Sequence, residues 1–140
     1  MSLAPGQINL PFQIVILIIV LAGYTLKRMK KLLYHGITMA AAAIMSLFSF
    51  LIVMLPSSVG LVEFIATYPS SRLSLVLVTH MIMGITTGIL ALWILAVWRF
   101  RSNVQDCSKR RMAMRITLIL WLATLAMGIV TYLYLYGILV

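Results

Sequence analysis

Negative charge is almost missing from this chain, whose 140 residues include two acids, Glu63 and Asp106. Chemistry that needs two carboxylates beside one bond therefore has nothing to work with. Cysteine is equally scarce. Cys107 is alone, which excludes an intrachain disulfide and any metal site built on thiolates only. It falls in a basic stretch assigned below to the cytoplasm, where a thiol stays reduced. There is no glycine-rich phosphate loop, no Gly-x-Ser-x-Gly elbow and no internal repeat of solenoid or propeller length. Charged residues make up 9% of the chain, against about 25% in a soluble domain.

What fills the chain instead is apolar, at 64%. A soluble fold of this size has too little interior to hide that surface, so the bilayer is the expected solvent. Four runs qualify as spans, at residues 10–26, 32–55, 73–98 and 112–138. The expected fold class is all-α: one membrane domain over residues 1–140, a bundle of four transmembrane helices. Pro11 suits the first turn of the first helix. Pro56 marks the end of the second, and residues 56–72 read as a loop of turn formers whose apolar middle, 61–68, lies in the interface. Ala40, Ala41, Ala42, Ala43, Ser46 and Ser49 make the second helix small enough for close packing. Tyr132, Tyr134 and Tyr136 form an aromatic belt.

The net charge of +9 is concentrated at two places. Lys27, Arg28, Lys30 and Lys31 follow the first run; Arg99, Arg101, Lys109, Arg110, Arg111 and Arg115 follow the third. Only Arg72 lies elsewhere. Positive residues accumulate on cytoplasmic loops, so residues 27–31 and 99–111 are expected inside and both termini outside, in the cell membrane. The same residues would attract anionic lipid head groups. They do not form the continuous patch that nucleic acid requires, so no nucleic-acid partner is expected. Residues 1–9 have no Lys or Arg, so the first run reads as a span rather than a cleavable signal peptide.

Two histidines carry the remaining chemistry. His80 sits about 12 Å along the third helix from Arg72, and an ionisable side chain at that depth should face the bundle interior. Gly84 and Gly88 follow at i+4 and i+8. Two readings of that stripe stay open: close helix packing, or room for a flat macrocycle whose iron His80 would hold. His35 opens the second helix beside the lysines, either as an interfacial histidine or as a ligand or proton-handling group. The two differ too much in depth to share one iron. Met54 would approach the depth of His80, and Met112 or Met114 that of His35. A transport path would need a polar lining, which Ser, Thr and two His supply poorly.

Four segments together resemble the small four-helix membrane proteins labelled domain of unknown function 420, some of them linked to cytochrome oxidase assembly. These are the basic turn leading into His35, the segment Val78-Thr79-His80-Met81-Ile82-Met83, the basic approach through Lys109 and Arg115, and the ending Gly128-Ile129-Val130-Thr131-Tyr132-Leu133-Tyr134-Leu135-Tyr136. The resemblance implies a b-type-cytochrome-like or haem-copper-oxidase-associated protein, with haem b as cofactor. Of the family's four histidine positions, His35 and His80 match the first and third. Met54 to Ser57 and Arg110 occupy the other two. The candidate site is His80, the leading ligand, with His35, Met54, Gly84 and Gly88; the resemblance implies the two histidines as iron ligands. The implied partners are the lipid bilayer and a respiratory or other membrane complex, with self-association open. The alternative is a cofactor-free structural or assembly subunit, and neither reading requires catalysis by the chain itself.

Overall fold

The computed structural model describes residues 5–98 and 109–137, with side chains from Gln7 onward. Among them the structure is helical without strands. Helix α1 spans Pro5–Arg28, α2 Leu32–Ser49, α3 Leu55–Thr67, α4 Arg72–Trp98 and α5 Arg111–Leu135. A π-helical segment, Phe50–Met54, joins α2 to α3 without a break. Four continuous helices are long and apolar enough to cross a membrane: Gln7–Arg28, Leu32–Thr67, Arg72–Trp98 and Arg111–Leu135.

Two sequence expectations change here. The second helix does not stop at Pro56, and residues 56–67 are helix rather than loop. Proline lacks an N–H and its ring collides with the carbonyl four residues back, which normally kinks or ends a helix. The widened turn ahead of it moves that ladder to a longer spacing: the Leu55 N–H bonds the Phe50 carbonyl. A π-turn of this kind is one of the identifiable ways a helix absorbs an irregularity. The 36 residues of Leu32–Thr67 then extend about 54 Å, well beyond a hydrocarbon core of about 30 Å. Pro11 is the second change. α1 already begins at Pro5, so Pro11 lies inside the helix. The last helix ends at Leu135, and residues 138–140 lie outside the described residues, as do Arg99, Arg101, Asp106 and Cys107.

Both short connections are closed by local chemistry. After α1, Lys30 takes φ 60°, the left-handed conformation that usually falls to glycine. The Lys30 N–H then bonds the Lys27 carbonyl and the Lys31 N–H bonds the Leu26 carbonyl, each at 3.0 Å. These are the paired bonds of a Schellman ending, and they reverse the chain within the basic cluster. Before α4, Ser71 Oγ accepts the Ser74 N–H at 3.1 Å, satisfying one of the open amides of the first turn. Ser74 Oγ donates to the Tyr68 carbonyl at 2.7 Å and is fully buried.

The helices form two hairpins, α1 against α2 and α4 against α5. α1 also meets α5, and α2 meets α4. Ile16 and Val20 of α1, Ala42 and Ala43 of α2, and Trp121 and Leu125 of α5 make the core. Small residues on α2 let the backbones approach, and the large Trp121 fills the space opposite them. Outward, the pattern inverts. Ile18, Ile52, Ile89 and Ile119 are each more than half exposed, as suits helices surrounded by lipid. α3 has no buried residue at all.

Polar contacts across helices are few. Gln13 Nε2 donates to Ser49 Oγ at 2.8 Å, and Ser49 Oγ donates to Asn9 Oδ1 at 2.7 Å. This triad ties α1 to α2 at the last residue before the π-turn. Thr87 and Thr124 meet across α4 and α5 with their hydroxyls 3.2 Å apart.

Candidate functional site

One end of every long helix converges on a cavity of about 420 Å³. α1 contributes Tyr24, Lys27 and Arg28; α2 contributes His35, Gly36 and Met39. α4 contributes Leu95 and Trp98, and α5 contributes Arg111, Met114, Arg115 and Trp121. Lys27 and Arg28 of the first basic cluster and Arg111 and Arg115 of the second, distant in sequence, therefore share one end of the bundle. The volume lies within the range of ordinary small-molecule sites, about 300–1,000 Å³.

His35 is held in one ring orientation. Its Nδ1 lies 2.6 Å from the Gly23 carbonyl oxygen. A carbonyl only accepts, so Nδ1 carries the proton, and in the neutral ring Nε2 keeps its lone pair. An imidazole fixed through Nδ1–H to a backbone carbonyl is the usual arrangement of a metal-ligating histidine. Gly23 also makes room for Met39: a Cβ there would come within 2.8 Å of the Met39 Sδ. On the other side Gly36 accepts the Trp98 indole, which is buried and closes the cavity against α4.

His80 is placed differently. It lies outside the cavity, in the contact between α4 and α5. Its ring packs on Gly128, where a Cβ would stand 3.3 Å from His80 Cε1, and it faces the Thr124 carbonyl. Its Nδ1 is buried without a hydrogen-bond partner. Gly84 serves the same interface, since a Cβ there would meet the Thr124 methyl at 3.7 Å. Gly88 is exposed, with no heavy atom near its missing Cβ. The stripe headed by His80 is thus used for helix approach, at least through Gly84. Met54 sits in the π-turn, which packs against α1, α2 and α3, while α4 packs mainly on α5.

The sequence reading did not single out Gly23, Gly36, Trp98 or Trp121 as site residues, nor Asn9 and Gln13 as a polar pair. Only the last had a local signal, the i, i+4 spacing that places both on one face. No family model, curated protein or solved structure matches the chain.

The cavity fits parts of a haem. His35 offers a ring nitrogen, Met39 and Met114 offer thioethers, and Trp98, Leu95 and Trp121 provide apolar walls. Lys27, Arg28, Arg111 and Arg115 offer positive charge for carboxylates. Among the described residues no cluster of three or more His, Cys, Asp or Glu gathers to hold a bare ion.

Proposed function

We propose that this chain is a multi-pass protein of the cell membrane that holds a b-type haem in the cavity beside His35, in association with a respiratory complex. The resemblance to the oxidase-linked family motivates the class. The observation that supports the site is His35, which lines the cavity and has its Nδ1, but not its other ring nitrogen, bound to the Gly23 carbonyl. In this reading His35 would hold the iron, and Lys27, Arg28, Arg111 and Arg115 would offer charge to the carboxylates. Trp98 and Trp121 exclude water, and the positive clusters keep this end of the bundle in the cytoplasm. Haem, when bound, would supply one-electron transfer. His80 serves packing.

The test is a dithionite-reduced minus oxidised visible spectrum of protein purified from haem-replete cells. Sharp α and Soret bands are expected in the wild type and in His80→Ala, and their loss in His35→Ala. A flat wild-type spectrum would remove the cofactor. In that event the second reading stands, a cofactor-free subunit of a larger membrane assembly. Its support is α3, an apolar helix with no fully buried residue and mostly exposed side chains.

A further inference from the structure

Among the described residues, the charges around the cavity have no counterpart within it. Lys27 and Arg28 approach from the end of α1, and Arg111 and Arg115 from the start of α5. Among the described residues no carboxylate lines the cavity, and the one acid, Glu63, is on α3. Like charges gathered at the mouth of an apolar cavity repel one another, and low-dielectric walls strengthen that repulsion. An anion seated between them would relieve it. Behind the cations the lining is apolar, with Leu32, Ile94, Leu95 and Leu118 joining the two tryptophans. A small inorganic ion would leave that interior unfilled.

We propose that this cavity binds an amphiphile with an anionic head, carboxylate or phosphate, whose apolar body lies against Trp98 and Trp121. The bound head bridges α1 to α5, two helices that otherwise meet only modestly. Arginine suits the task because its planar fork grips both carboxylate and phosphate through two parallel N–H bonds. Two sources share this chemistry: a carboxylate-bearing macrocycle and an anionic phospholipid of the adjoining leaflet. The inference shares its cavity with the haem reading but not the iron ligation, so it survives a flat haem spectrum.

The experiment uses the full chain in nanodiscs, with Trp93→Phe leaving Trp98 and Trp121 as the fluorophores. Two probes report separately: iron-free protoporphyrin, and brominated phosphatidylglycerol compared with brominated phosphatidylcholine at equal bromine content. For a macrocycle source, protoporphyrin quenches saturably and Arg111→Gln/Arg115→Gln weakens it about tenfold or more, the effect of ~1.4 kcal/mol. For a lipid source, the anionic bromolipid quenches more than the zwitterionic one, and the excess vanishes in the same variant. Arg72→Gln, a cation at the start of α4, should change neither result. Arg111→Lys/Arg115→Lys, which keeps the charge but not the fork, should bind between the wild type and the double Gln variant, and guards against a misfolded double variant. Equal quenching by both lipids, together with protoporphyrin binding indifferent to the arginines, overturns the proposal.

Discussion

The indole of Trp98, at the end of α4, lies directly on Gly36 in the second turn of α2, where a Cβ would overlap the ring. Gly36 is thus a contact surface between the hairpins and one wall of the cavity. Gly36→Ala should lower stability by about 1–3 kcal/mol, the usual cost of overpacking a fixed neighbour. Unfolding in mixed detergent micelles measures it. Trp98→Leu in the same background should recover most of the loss; no recovery would mean that Gly36 matters for another reason.

His80 and Gly128 should be energetically coupled. A methyl on Gly128 would press on the His80 ring at 3.3 Å, so Gly128→Ala forces one of them to shift. With His80→Ala the space opens and the unpartnered Nδ1 disappears. The double-mutant cycle should give a coupling of about 0.5–3 kcal/mol, with the glycine substitution nearly harmless once the histidine is gone. Additive effects would separate the two residues.

Ser49 and Thr87 both make interhelical bonds, yet they should differ. Ser49 Oγ is the centre of its triad, accepting from Gln13 and donating to Asn9. Thr87 and Thr124 each already donate their single proton to a backbone carbonyl four residues back, at 2.7 Å. Their mutual contact adds little. Ser49→Ala should cost about 1–2 kcal/mol and Thr87→Val below about 0.6 kcal/mol, a typical interhelical bond in a bilayer. The same detergent titration ranks them, and the reverse order would contradict this account.

The basic end of the bundle should face the cytoplasm. Met29 is exposed at the end of α1 and Ser70 in the turn before α4, at opposite ends of the long helix between them. In a Cys107→Ser background, a membrane-impermeant maleimide should label Ser70→Cys on intact cells. It should reach Met29→Cys only after permeabilisation. Inverted labelling would place the cavity outside and break the link to inner-leaflet charge.

Much of the architecture is written locally. The long apolar runs ending at Trp98 and starting near Arg111 can be read by length alone, because a membrane helix satisfies its backbone internally and needs no partner to be recognised. Pro56 misled for the opposite reason. Its local preference is to stop a helix, and the π-turn that carries the helix past it is a matter of backbone geometry with no residue signature. The candidate site divides in the same way. His35 stood out as a rare titratable residue beside lysines, whereas its bond to Gly23 could not be read from either position.

The sequence by itself determined that this chain is built from four long apolar helices with its positive charge in two clusters. Those properties follow from composition and from a period that each helix carries alone. Only the tertiary structure decided that the clusters rim one cavity, that His35 rather than His80 lines it, and that Gly128 and Gly36 receive a histidine and a tryptophan. Each of these depends on which face of one helix meets which face of another. In lipid that choice is made by shape, small residues against large, rather than by any hydrophobic contrast the sequence displays.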